Sequence, residues 1–415
     1  MIAYGSVISA RASAVVARLP AAMVGSGVRI ACARGTLYGS VAALCDGTIV
    51  VTPHGAVDGI APGNVICTDA VALEAPLGLC ALGRAFDAGG KPLDGKRTVV
   101  PPRRIGVTSP SPETRRAICE PFWTGVAAID SLLTVGTGAR VGIFGSAGSG
   151  KSTLLNDLVR GSQADAIVVG LVGERGREAE EWLHCIPDRA VMYCATSDRP
   201  AAERVRVAHL AMAQANALRS RGLHVLLIVD SLARFAAALR EVAAACGEST
   251  GRGGYPPSVF AELASFTEMA GAFDTGSITL FATILHDGDD RDPVSEAARA
   301  LLDGHVQLST VLAGAGKFPA IDVTASVSRT MHAVVSAEHA CAAAAVRSSI
   351  AALAKSHDAR SLGMLSQRDA ESAANRERAI ERLLYGGTRD SRAALQALQE
   401  LVLFLEEERS SCLPA

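Results

Sequence analysis

No run in the 415 residues reaches the roughly 18 apolar positions that a membrane-crossing helix needs. The hydrophobic share is 49% but aromatic residues make up only 4%, so apolarity sits in small side chains spread through cores. An excess of charge of one sign is missing as well. A net charge of -2 leaves no electrostatic footprint for nucleic acid or anionic lipid, so partners must be met by shape or local patches. The ten cysteines are scattered without C-x-x-C pairs or a disulfide-dense cluster, which suits reduced, mostly buried thiols in a bacterial-type cytosol. His184 and Cys185 are adjacent, which makes no zinc site, and core packing is expected of both. A signal peptide is disfavoured too. The apolar opening "MIAYGSVISARASAVVARLPAAM" lacks a basic start and is interrupted by Arg11 and Arg18, so it predicts a first strand.

What is present divides by period. From 1 to 80, short alternating runs such as "VRIACA", "GSVAAL" and "TIVVTP" lie between Gly, Asp and Pro, predicting a small antiparallel β-barrel domain. Residues 97–125 are rich in Pro and Arg and read as an ordered linker wrapping a surface. From "RVGIFG" onward, strand-length apolar runs ("AIVVGLVG", "AVMYCATS", "HVLLIVD", "SITLFATIL", "HVQLS", "AIDVTAS") alternate with helix-length segments. That alternation predicts an α/β domain with a mainly parallel sheet over 81–335. After 335 no strand signal survives, and "AEHACAAAAVRSSIAALAKS" and "SRAALQALQELVLFLEEERS" predict a C-terminal helical domain over 336–415.

Chemistry concentrates at strand ends. "GSAGSGKST" fits G-x-x-x-x-G-K-[ST] after a strand and before a helix, the context in which backbone amides and a helix N-terminus cradle phosphates. The candidate nucleotide-binding residues are Gly145, Ser146, Ala147, Gly148, Ser149, Gly150, Lys151, Ser152 and Thr153. Lys151 would reach the β- and γ-phosphates of ATP, and Ser152 would ligate Mg²⁺. Asp230 ends "HVLLIVD" at the carboxyl end of a buried strand and is the second candidate Mg²⁺ residue; a helix N-cap is the bland alternative. Glu174 and Arg175 follow another apolar strand and are candidate catalytic residues, Glu174 as the base that orients and deprotonates water. Arg177, Glu178, Glu180 and Glu181 are expected to form a solvated helix face. "HDGDDRDP" fails the spacing of an EF-hand and reads as a solvated loop.

These residues carry a resemblance. "GIFGSAGSGKSTLL", "GLVGERGREAEEW", "VLLIVDSLARFA", "GYPPSVFAEL", "LLDGHVQLS" and "FPAIDVTASVSR" occur in the order and near the spacing of the type III secretion and flagellar export ATPases. Those enzymes are relatives of the rotary ATP synthase subunits. The resemblance spans well over half the chain and implies a homo-hexameric ring with a barrel collar, a RecA-like ATPase core and a helical C-terminal domain. It implies active sites at subunit interfaces, with Glu174 as base, Lys151 and Ser152 on nucleotide and Mg²⁺, and Asp230 as the strand-ending acid. Arg329, in "SVSRT", matches the arginine that the neighbouring subunit inserts toward the γ-phosphate. Ser326, Ser328 and Thr330 around it would leave that arginine room to reach across. It also implies stalk and stator partners, chaperone-effector complexes as clients, and a peripheral place at the cytoplasmic face of the inner membrane.

Several departures from the pattern matter, among them the C-terminal stretch "LGMLSQRDAESAANRERAIERLLYGG", which fits it loosely. Arg252, in "GESTGRGG", stands one residue from the family's usual arginine, and Ala233 replaces a usual threonine. The short segment before the barrel leans toward an injectisome enzyme over a flagellar one. Among other readings, a rotary synthase subunit would carry an acidic helix-loop that the C-terminal region lacks. A hexameric RNA translocase would carry a stacking module that this aromatic-poor chain lacks. A non-catalytic ring component would have no use for both Glu174 and Arg329.

Overall fold

The alternating runs at the N-terminus close on themselves. Strands β1 (Tyr4–Arg11), β2 (Ala14–Arg18), β3 (Gly27–Cys32), β4 (Gly35–Cys45), β5 (Thr48–Pro53) and β6 (Val65–Thr68) form a closed barrel in the order β1-β2-β5-β4-β3-β6. Strand β6 pairs back onto β1, so the barrel has no open edge. The pleat turns alternate side chains inward: in β3, Val28 and Ile30 are buried while Arg29 faces out. Val15, Val28, Ile30, Val51 and Ile66 are fully enclosed, each contributing about 1.5–3 kcal/mol by burial.

The computed structural model describes residues 2–11, 13–97, 102–105, 110–285, 292–361, 367–387 and 390–411. They group into two compact units. The first comprises Met1–Arg115, Asp165–Ile284 and Asp289–Leu301 and holds the barrel. Its sheet runs parallel from Arg84–Asp87 through Ala190–Ala195, Ala166–Val172 and His224–Asp230 to Ser277–Leu285. Every residue of Ala166–Val172 is buried, which is why these strands read as unbroken apolar runs rather than alternations. Helix Ala201–Arg219 packs on the three inner strands, and helices Leu232–Ala245 and Pro257–Glu268 follow it.

The second unit comprises Arg116–Ala164, Leu285–Gly288 and Leu302–Ala415. Strand Arg140–Gly145 lies parallel to Gly304–Leu308, which pairs antiparallel with Ile321–Ser328. Helices Ala337–Ser361, Gln367–Tyr385 and Ser391–Ser411 pack on one another and on Ala127–Leu132. Asp130 binds this bundle together. It is 1% exposed and accepts hydrogen bonds from Thr124, Gly125 and, across the bundle, Ser391.

Barrel, mainly parallel sheet and C-terminal helices all stand as the sequence predicts. Two expectations differ. The thiols are not mostly buried: among the described cysteines only Cys67 and Cys194 are, because most of the others sit on strand edges, loops and helix ends. His184 and Cys185 are exposed at the end of helix Gly176–Leu183 rather than packed in a core. Helix Gln367–Tyr385 lies within the helical domain predicted over 336–415, between the two stretches quoted for it. Of the linker, Pro102–Arg104 pairs with Glu74–Pro76 and Pro121–Phe122 with Val135–Gly136. Most of "HDGDDRDP" lies outside the described residues; Asp292 within it accepts from the amide and hydroxyl of Ser295 and so starts the next helix. Arg252 of the variant loop forms an ion pair with Glu296 at 2.6 Å.

Candidate active site

Strand Arg140–Gly145 delivers the chain into the phosphate loop, and helix Lys151–Gly161 opens directly after it. Gly148 and Gly150 hold φ of 81° and 86°, a region where a Cβ is strained, so this path needs glycine. At Gly145 a Cβ would meet the Ser149 hydroxyl at 2.5 Å. The Ser149 hydroxyl is buried beneath the loop with no hydrogen-bond partner. Lys151 is half-buried, while Ser152 and Thr153 are exposed on the first turn. The glycine-rich loop and the positive end of an eleven-residue helix make this an anion cradle.

In the first unit, strand Ala166–Val172 runs through Gly173 to Glu174, which is 2% exposed. The carbonyl of Glu174 accepts from the Ser197 amide at 3.0 Å, fixing the backbone. Arg234 reaches back from the first turn of helix Leu232–Ala245. Its Nη1 donates to the Gly173 carbonyl, and its Nε lies 3.2 Å from Glu174 Oε1, at ion-pair distance but without hydrogen-bond alignment. In the paired strand, Asp230 is also 2% exposed, and its Oδ1 accepts from Thr283 Oγ1 at 2.6 Å. Asp230 is not the helix cap: Ser231 is, its hydroxyl accepting from the Arg234 amide at 3.3 Å. Glu178 completes the group. Carboxylate oxygens of Glu174, Glu178 and Asp230 all lie within 4.8 Å of one another. The solvated face expected of helix Gly176–Leu183 therefore holds for Arg177, Glu180 and Glu181 and fails for Glu178.

Arg175 is exposed, and its carbonyl takes the first amides of that helix. Arg329 is exposed at the end of strand Ile321–Ser328 in the second unit. Its neighbours are anchors rather than spacers. Ser326 accepts from the Gln307 amide, Ser328 donates to the Thr134 carbonyl, and Thr330 accepts from the Gly136 amide. These bonds fix the backbone from which Arg329 projects.

Residues 125–328 match the family model "ATP synthase alpha/beta family, nucleotide-binding domain". The chain is 44% identical over 328 residues to the type 3 secretion system ATPase of Sinorhizobium fredii, covering 77% of this chain and 73% of that protein. It is 41% identical over 373 residues to the flagellum-specific ATP synthase of Treponema pallidum, covering 88% and 83%. The assembled ATPase EscN of the enteropathogenic E. coli type III secretion system superposes with a TM-score of 0.88 at 35% identity, over 96% of this chain and all of that one. This chain belongs to the type III secretion and flagellar export ATPase family.

It is thus an ATPase, and the family implies ATP and usually Mg²⁺. The residues fit both. Three clustered carboxylates repel one another and supply the hard oxygen donors that Mg²⁺ takes, and the loop supplies amides for phosphate. Two contributors escaped the sequence reading. Glu178 stands in the first turn of a helix that starts two residues after the strand-end acid, a spacing that turns it back toward Glu174. Arg234 stands four residues after Asp230, on the first turn beyond another strand end.

Proposed function

We propose that this chain hydrolyses ATP to drive type III protein secretion. It would work as a homo-hexamer at the cytoplasmic face of the inner membrane, releasing chaperones from effectors and unfolding them for export. The observation that carries the catalytic part is Glu174, an enclosed carboxylate at a strand end, braced by Arg234, in a chain that also holds a complete phosphate loop. The loop amides and Lys151 bind the β- and γ-phosphates. Ser152 and Asp230 would hold Mg²⁺, which when bound supplies positive charge to the phosphate oxygens. Glu174 accepts a proton from water as the water oxygen bonds to the γ-phosphorus, and the bond to the ADP oxygen breaks.

Arg329 has its role in trans, meeting the γ-phosphate of the neighbouring subunit, where a guanidinium is worth about 10³–10⁵ in rate. The similar EscN structures are of the assembled ATPase, one of them in complex with its central stalk EscO, which supports a ring and a stalk partner for this chain as well. A flagellar export role is the second reading, supported by the Treponema similarity that covers 88% of the chain. Glu174→Gln tests the chemistry. Hydrolysis should fall by about 10²–10⁴ while a fluorescent ATP analogue still binds, and undiminished turnover would sink the assignment of the base.

A further inference from the structure

Phe318 lies over the phosphate loop. Its ring stands 2.9 Å from where a Cβ on Gly150 would be, with Ala320 beyond it at 3.8 Å. Gly150 is the residue whose carbonyl takes the Leu154 amide to open the helix, and as a glycine it has no side chain to restrain its own torsions. The segment carrying Phe318 is tied on both flanks. The Lys317 amide donates to the Leu312 carbonyl at 3.0 Å, and the Ala320 carbonyl accepts from Ser309 at 2.8 Å. The Lys317 ammonium lies 2.5 Å from Glu381 Oε1, on helix Gln367–Tyr385, each side chain about a third exposed. The hydrogen bond to Glu381 holds the ammonium above the ordinary lysine range against the opposing effect of burial, with lesser help from Tyr385 and Glu377. A continuous set of contacts thus runs from the C-terminal helices to the loop.

We propose that Lys317 is a positioning residue for the phosphate loop: its ion pair with Glu381 keeps Phe318 seated on Gly150, so the C-terminal helices set how firmly the loop holds nucleotide. Restraining a permissive glycine before binding lowers the ordering cost that binding must meet. The effect is one of affinity rather than chemistry, because nothing in this set touches Glu174. It rests on the phosphate loop being the nucleotide site.

The test uses the full chain, a fluorescent ATP analogue, steady-state kinetics and thermal melting. Lys317→Gln and Glu381→Gln should each weaken analogue binding and raise KM roughly two- to fivefold, with kcat held. The swapped pair K317E/E381K should recover affinity. In a Phe318→Ala background, Lys317→Gln should cost nothing further. Unchanged affinity in both single variants, even with a lowered melting temperature, overturns the proposal by reducing the pair to a structural one. A swap no better than the single variants, or a full Lys317→Gln effect without Phe318, overturns it too. A wild-type chain that binds no analogue would instead bring down the nucleotide site itself, and this inference with it.

Discussion

Arg329 hangs from Asp303 by its backbone, its amide donating to the Asp303 carbonyl at 2.9 Å. The carboxylate of the same aspartate takes three hydrogen bonds from Arg140, at 2.9, 3.0 and 3.1 Å. Arg140 begins the strand that ends in the phosphate loop, so one residue sets both the loop's entry and the arginine's root. Asp303→Asn loses the charge and half the acceptor capacity of that clamp. We expect a loss of about 1–2 kcal/mol in denaturant titration, since the bonds are charge-assisted but partly solvated. We also expect a lower kcat at constant KM, because Arg329 acts on the transition state. Unaltered stability would show that the clamp is dispensable.

Arg234 makes a different prediction, because it touches the base rather than the nucleotide. Arg234→Ala removes the guanidinium that braces Glu174, and misplacement of a reacting group by an ångström can cost about 10²-fold. Turnover should drop roughly ten- to a hundredfold while analogue binding stays within about twofold. Arg234→Lys should rescue little. A lysine has one point charge and cannot serve the Gly173 carbonyl and Glu174 together as the forked guanidinium does. Full activity in the lysine variant would mean that charge alone matters there.

The phosphate loop was legible because its chemistry is local: five residues of backbone conformation and a helix start are written in consecutive letters. Glu174 and Asp230 were legible as ends of apolar runs, since buried parallel strands leave their polar residues at the carboxyl edge. The company these acids keep was not. Glu178 and Arg234 sit on helices that start immediately after the strands, and which way a first turn faces is set by packing, such as burial of Ala179 and Trp182 beside Glu178. Ser326, Ser328 and Thr330 were misjudged for a related reason. For Ser328 and Thr330 the partner is a carbonyl or amide nearly two hundred residues away, on Thr134 and Gly136, and for Ser326 it is the Gln307 amide of the neighbouring strand, so no short-range pattern marks these roles. The Lys317–Glu381 pair joins segments that no periodicity connects.

His54 predicts a pH dependence of stability. Burial first, and the Arg206 guanidinium second, hold its imidazole well below the ordinary histidine range. Arg206 Nη1 lies 3.4 Å from its Nε2 and can only donate, so the neutral ring carries its proton on Nδ1. The folded state therefore binds fewer protons than the unfolded state once pH falls below about 6.5. Stability is fully present above that pH and declines as pH drops toward the depressed folded value, by up to ~1.4 kcal/mol per pH unit. Melting temperatures from pH 8 to pH 5 should fall accordingly. His54→Gln, although less stable at pH 8, should show a shallower decline. An equal slope in the variant would assign the acid sensitivity to other groups.

The placement of Arg329 and Glu174 yields the test that separates a shared site from a private one. Arg329 is exposed, on a strand end fixed by three hydroxyl bonds, so it is presented outward on a rigid base. If it serves the neighbouring subunit, Arg329→Ala and Glu174→Gln chains are each inactive for different reasons. A ring of the first has every base and no arginine; a ring of the second has the reverse. Mixing them creates interfaces where an intact Glu174 faces an intact Arg329. At equal proportions and random assembly about one interface in four is complete, so activity should return to a fraction of wild type and peak near an equal mixture. Both variants keep the phosphate loop, so nucleotide binding should stay constant across the series. Mixed rings that form, as shown by co-purification of differently tagged chains, yet stay inactive at every ratio would place Arg329 and Glu174 in the same subunit's site.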